Sequence, residues 1–466
     1  MPEAINCYEI GSAEFNGFFK RMRDRAEIGD GPAGSIHGEL LEKARASGDS
    51  VLIMFAEQFF EGLHPSINAT VERIIQRVQA QGDGAVCNLT RLFDAFPLTP
   101  PNIRVSPKDI DALAAQADAE ILKLCKEQVL PRLMRFHEKQ RQESWQLDEN
   151  GGGVGIRVQP LNRVALYVPG GKAFYPSSLM MAAVPAKVAG VKEIAVFTPP
   201  SGVDKTPLLS ALCKELGITE IYRVGGAQAI AAAALGTEKI ARVDKIVGPG
   251  NQFVAVAKRM LNGRAAIDNF AGPSEVVVLF DGSANPVHVA ADLLAQAEHD
   301  EMAAAVAVTD NAEAAQTVAA EVSKQVAGLP REKVCRLSLE SYGGIVVAPS
   351  MGFALRFVDT LAAEHVEIMT GEAEKHASQL KNAGAIFIGS YAPEAFGDYL
   401  AGPNHILPTA GTARFASALG VGDFLRQVSI IRGSEALLKT HAPAIAKLAR
   451  VEGLEAHARS VEARFK

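Results

Sequence analysis

The sequence predicts an α/β protein built from two doubly wound units, with a helical N-terminal extension and a small C-terminal helical domain. Three observations carry that expectation. From about residue 160, short β-rich runs alternate with helix-like stretches of roughly 10–15 residues, the pattern of a parallel sheet covered on both faces. The alternation occurs in two successive series. At 466 residues the chain also exceeds what one hydrophobic core usually organises, so two or three domains are expected.

Taken in order, the first 160 residues read as mainly helical, with VERIIQRVQAQGD as an amphipathic segment. Residues 30–65, beginning DGPAGSIHGELLEKARASGDS, look like an added segment with no assignable task. The first α/β series runs RVALYVP, SSLMMAAVPAKVAG, EIAVFTPP, PLLSALCKELG, EIYRVGG, AQAIAAAALG, VDKIVGPG and NQFVAVAKRML. The second begins at SEVVVLFD and continues through PVHVAADLLAQAEH, AAAVAVT, a helical 311–327, GIVVAP, AIFIGS and PEAFGDYLA. From about residue 420 the chain is helical again, interrupted by RQVSII as a strand. GGGVG at 151–155 is no dinucleotide loop, because no clear strand precedes it and no helix follows.

Composition narrows the function classes. The net charge of -6 comes from 53 acidic and 47 basic residues mixed along the chain, with no basic block to track a nucleic-acid backbone. Hydrophobic residues make up 48%, yet no uninterrupted apolar run is long enough for a membrane span, so a soluble protein is expected. The N-terminus lacks a basic segment, apolar core and cleavage site, which points to a cytoplasmic location. Cys7, Cys87, Cys125, Cys213 and Cys335 lie far apart, unlike a C-x-x-C site, and read as structural thiols.

Several motifs bear chemistry, and each has a plainer reading beside it. In DLLAQAEHDE, an apolar stripe of Val287, Ala290, Ala291, Leu294 and Ala297 leads to Gln296 and His299, three apart on one helical face. They can present an amide oxygen and an imidazole to one ion, or be a solvated residue and a C-terminal cap. FGDYLAGPNHILPT places Asp398 and His405 on either side of a Gly-Pro turn, both suited to zinc and both common as structural groups. In AAEHVEIMT, Glu364 and His365 adjoin where a helix meets a β-like run, a pair equipped to activate water, or an exposed Glu beside a strand-end His. VEGLEAH adds Glu452 and His457, five apart on a helix and not quite on one face. The glycine-rich YVPGG (167–171) and VGPGN (247–251) suit an anionic cofactor or a tight turn, and neither is G-x-G-x-x-G.

Considered together, the blocks YVPGGKAFYPSSLMMAAVPAKVAGV, VGGAQAIAAAALGTEKIARVDKIVGPGN, DNFAGPSE, DLLAQAEHD, AEHVEI, GPNHILPT and EGLEAH occur in the order seen in histidinol dehydrogenases. The chain resembles that family from roughly residue 66 to its C-terminus. The resemblance implies a zinc site of Gln296, His299, Asp398 and His457, one Zn²⁺ per subunit, with His457 supplied by a partner in a homodimer with shared active sites. It implies Glu364 and His365 as the acid–base pair. Ser274 and Glu452 join Gln296, His299, His365, Asp398 and His457 as substrate contacts, and NAD contacts fall on Tyr167, Gln228 and Asn251.

The implied reaction is oxidation of L-histidinol to L-histidine through the aldehyde, with two NAD⁺ reduced in turn. Relatives that keep the zinc and Glu-His motifs also oxidise other small polar alcohols, sulfonated diols among them, which is the alternative. A non-catalytic scaffold has no need for all of these groups at once. The resemblance also implies a division into domains: 1–65 as the extension, 66–166 plus 274–419 as a first Rossmann-like domain with the zinc and acid–base residues, 167–273 as a second, NAD-binding one, and 420–466 as a tail reaching the partner.

Overall fold

The computed structural model describes residues 4–25, 34–64, 66–170, 175–269 and 272–466. Residues 30–33 and 65 of the added segment and Gly171 of YVPGG lie outside them. In chain order the strands are β1 (Cys7–Glu9), β2 (Trp145–Glu149), β3 (Gly152–Pro160), β4 (Arg163–Tyr167), β5 (Glu193–Thr198), β6 (Glu220–Arg223) and β7 (Lys245–Val247). They continue with β8 (Ala266–Ile267), β9 (Glu275–Phe280), β10 (Ala304–Thr309), β11 (Gly344–Val347), β12 (His365–Met369), β13 (Ala385–Ile388) and β14 (Leu425–Arg432).

Two parallel sheets form the frame, as the alternating pattern predicts. One has six strands in the order β1-β11-β10-β9-β12-β13, the other five in the order β6-β5-β4-β7-β8. Every residue of β4, β9, β10 and β12 is buried, which is why these runs are Val-, Ile- and Ala-rich without a polar alternation. Helices such as Pro286–Ala297 and Ala312–Gln325 cover the six-stranded sheet, burying Val289, Leu293 and Val318 against Val276 and Val278. Among the described residues no helix is long and apolar enough to cross a membrane.

The domain boundaries differ from the expected division. The helix Ile67–Asp94 packs its Val71, Ile74 and Val78 with Ile230 and Val254 of the five-stranded unit, not with the six-stranded one. β4 itself, from Arg163, is the central strand of that unit, so its start lies before residue 167. The N-terminal extension is divided too: β1 pairs with β11, Cys7 opposite Ile345, as an edge of the six-stranded sheet. Its later helices, Gly34–Ala46 and Ser50–Phe60, bury Leu40, Phe55 and Phe59 in the other unit's core.

A third, antiparallel sheet (β14-β3-β2) was not read from the sequence. GGGVG runs from the β2–β3 turn into β3, and Asn150 and Gly151, both at positive φ (45° and 78°), turn the hairpin. β14 (RQVSII and its flanks) pairs along β3, and the chain then ends in the helices Glu435–Val451 and Glu455–Glu462. These two pack on each other through Ala446, Ala449 and Ala458.

Candidate active site

A cleft of about 590 Å³ opens between the two parallel sheets. On one side it meets the carboxyl ends of β4 and β7, through Pro169 and the turn Gly248–Asn251. The order β6-β5-β4-β7-β8 reverses between these strands, and such a switch point is where open α/β sheets leave a crevice for a dinucleotide. The turn is braced from below. Gly248 (φ 114°) donates its N–H to Asp268 Oδ2 at 2.7 Å, while buried Lys258 donates to the Gly248 carbonyl at 3.0 Å and pairs with Asp268 Oδ1. Asn251 then caps the helix Gln252–Leu261, its Oδ1 accepting from Val254 N at 3.2 Å.

The other side is built from the amino ends of β9 and β12, which lie adjacent with His365 in register with Val276. Ser274 precedes β9, Glu364 precedes β12 and His365 begins it; all three line the cleft. Glu275 joins the pair through its backbone. Its N–H donates to Glu364 Oε2 at 3.0 Å, and its carbonyl lies 3.2 Å from His365 Nδ1. A carbonyl only accepts, so Nδ1 carries the proton and Nε2, buried and without a partner among the described residues, is the basic nitrogen. Burial pushes the His365 imidazole down to about 3, which keeps the ring neutral at ordinary pH. Burial, followed by the charge of Glu275, holds the Glu364 carboxyl well above the usual carboxylate range.

The third wall is the end of the helix Pro286–Ala297 and the short helix Glu394–Tyr399. Gln296 is fully buried, which rules out the solvated reading, and His299 follows within a turn. The buried face of this helix is Val289, Ala290, Leu293, Leu294, Gln296 and Ala297; Val287, expected in the apolar stripe, is 45% exposed. Donor atoms of His299, Glu394 and Asp398 lie within 4.8 Å of one another. In the orientation that satisfies both groups, the Gln296 amide nitrogen donates to Glu394 Oε2 at 3.0 Å, leaving its oxygen uncommitted to Glu394. His405 lines the same wall with Nδ1 3.6 Å from Asp398 Oδ1.

This wall fits a divalent cation. Glu364, Glu394 and Asp398 crowd one small volume, and burial pushes Asp398 up to about 6 and Glu394 well above its usual range. Burial brings His405 down to about 4, which keeps its ring neutral and able to ligate, and His299, exposed where it lines the cleft, is lowered as well, chiefly by loss of solvent around its ring. A mixed set of imidazole, carboxylate and amide oxygen donors is one that Zn²⁺ accepts.

The structure therefore brings Ser274, Gln296, His299, Glu364, His365 and Asp398 together, with Asn251 on the opposite lip. Tyr167 and Gln228 are buried and flank Gly226, whose N–H donates to the Tyr167 hydroxyl at 3.0 Å; neither lines the cleft. Glu452 and His457 are exposed on the C-terminal helices and lie outside the cleft of their own chain. Glu394 was missed in the sequence, although it stands four residues before Asp398 and so on the same helical face. Its Oε1 is 3.8 Å from His365 Nδ1, and its N–H donates to buried Glu367 at 2.6 Å.

Known proteins share this architecture. The family model described as histidinol dehydrogenase matches residues 61–465. Curated histidinol dehydrogenases from Bacillus subtilis and Geobacillus kaustophilus are 49% and 48% identical, spanning 85% and 84% of this chain and 92% of each of those proteins. A crystal structure of histidinol dehydrogenase from Elizabethkingia anophelis superposes with a TM-score of 0.82 at 29% identity, over 100% of this chain and 99% of that one. With its cleft, its Glu-His pair and its His-Glu-Asp wall accompanied by a match along most of its length, the chain belongs to the histidinol dehydrogenase family.

Proposed function

We propose that this chain oxidises L-histidinol to L-histidine, the closing steps of histidine biosynthesis, with NAD⁺ and zinc, as a cytoplasmic homodimer. The observation that carries the reading is the convergence of Glu364 and His365 with His299, Glu394 and Asp398 on one cleft. Bound zinc would orient the amino and imidazole nitrogens of the substrate, and NAD⁺ on the β4–β7 side would accept hydride in each of the two oxidations.

His365 Nε2 takes the alcohol proton as the carbinol carbon gives up hydride, forming the aldehyde. The ring keeps its orientation because Nδ1–H stays bound to the Glu275 carbonyl. Glu364, once ionised, removes a proton from the water that adds to the aldehyde; its raised pKa makes it a stronger base than an ordinary carboxylate. Addition of that water leaves the hydrate as its monoanion; its carbon then gives up the second hydride to NAD⁺, leaving the acid, whose proton passes to solvent to give the carboxylate. Ser274 and Asn251 frame the substrate and dinucleotide sides of the cleft. Tyr167 and Gln228, buried beside Gly226, stand in this reading as the dinucleotide contacts the resemblance implies, with the Tyr167 hydroxyl accepting from Gly226 N–H.

Glu452 and His457 complete the site from the partner subunit in this reading. Its support is the character of the C-terminal helices, which enclose a core of only three alanines. Leu448 (66%) and Val451 (80%) are left exposed, an apolar face that calls for a partner. Purified protein given L-histidinol and NAD⁺ should form two NADH per histidinol consumed. Absence of NADH with histidinol, together with turnover of a sulfonated diol, would assign the site to another alcohol.

A further inference from the structure

We infer that Arg25 is a positioning residue of this active site: its guanidinium fixes the Pro273–Glu275 segment whose backbone holds both Glu364 and His365. The inference rests on the reading above. Arg25 lies outside residues 61–465, where the family model matches, yet it lines the cleft and is only 6% exposed.

Its bonds converge on one short segment. Nη2 donates to Glu275 Oε2 at 2.6 Å; Nη1 donates to the carbonyls of Met302 at 2.7 Å, Ser274 at 3.2 Å and Pro273 at 3.5 Å. The Tyr342 ring lies beneath the guanidinium, 5.7 Å from centroid to Cζ. Glu275 is thereby clamped from two directions, since its Oε1 also accepts from Ala410 N at 2.9 Å. The same residue offers N–H to Glu364 and C=O to His365. One planar cation thus sets the height and tilt of the peptide unit on which both proton carriers hang, and a guanidinium suits this because its donors diverge in a fixed fork. No hydrogen bond joins it to Glu364 or His365, so its hold on their positions passes through Glu275, while its charge also reaches Glu364 and works against burial there. Displacement of reacting groups by about 1 Å is enough to cost on the order of 10²-fold in rate.

The test uses the full-length, zinc-loaded enzyme with wild type measured first; a wild type that does not turn over histidinol sinks the proposed function, not this inference. Arg25→Met should lower kcat by about ten-fold or more while the KM for NAD⁺ and the zinc content stay at wild-type values. Arg25→Lys, which keeps the charge and loses the fork, should recover part of that kcat. Arg25→Met/Glu275→Gln removes the unpaired buried carboxylate, so it should recover melting temperature without recovering kcat. Wild-type kcat in Arg25→Met, or a double variant that regains kcat and stability together, would overturn the positioning role. If Arg25→Met does not fold, Arg25→Lys decides: a several-fold lower kcat at an unchanged melting temperature supports the role, and wild-type kcat contradicts it.

Discussion

His365 and Glu364 differ in what burial does to them, and that difference divides the chemistry. Burial favours the neutral form of each, so the imidazole stays a free base while the carboxyl tends to keep its proton. Replacing His365 with Asn should reduce turnover of histidinol by roughly 10²-fold or more, measured as initial NADH formation; unchanged turnover would remove it as the base. Glu364 must lose its proton to act, and its pKa lies above the usual carboxylate range. Aldehyde oxidation should therefore fall on acidification from a higher pH than an ordinary carboxylate would set. Glu364→Gln should be slow at all pH values and lack this limb, and a limb of the same shape in that variant would assign it elsewhere. Single residues also show where the sequence was readable. Glu364, His365, Gln296, His299 and Asp398 stand in recognisable blocks, whereas Glu394 is an acid on a six-residue helix whose role appears only when the chain folds it under His365. Arg25 gave no signal, since its partners lie about 250 residues away.

Among the elements, the ends of strands and helices position the chemistry. The GPGN turn depends on the buried Lys258–Asp268 pair, so Lys258→Met should destabilise the protein by about 3–5 kcal/mol in denaturant unfolding, because Asp268 would be left buried and uncompensated. A change within about 0.5 kcal/mol would show that the turn holds itself. The short helix Glu394–Tyr399 carries a second consequence. Asp398 is raised to about 6, so in metal-free protein its contribution to stability is full below the unfolded carboxylate range and is lost as pH rises through about 6. Zinc bound as proposed would replace that proton, and should raise the melting temperature more at about pH 7.5 than at about pH 5; an equal gain would place the metal away from Asp398.

Element periodicity was legible where strands are buried on both faces, as in EVVVLF and AAAVAVT, and where helices follow them at regular spacing. It failed for β1, three residues whose pairing with β11 is a tertiary choice, and for the β2–β3 hairpin, although the Asn150–Gly151 pair was an available turn signal.

For the whole molecule, two sheets present opposite ends to a common cleft: carboxyl ends of β4 and β7 on the side proposed for the dinucleotide, amino ends of β9 and β12 on the side of Glu364 and His365. Sequence order concealed which helices cover which sheet, because Ile67–Asp94 returns to strands that come later in the chain. In the proposed dimer the exposed C-terminal helices would reach a second subunit. The most direct measurement is complementation between two variants, His365→Asn and His457→Ala, each expected to be nearly inactive alone. Dissociated, mixed in equal amounts and reassembled, they should regain about one quarter of wild-type activity, since half the dimers are mixed and each mixed dimer has one intact site. No recovery on mixing, with dimers reformed, would contradict a site shared between subunits.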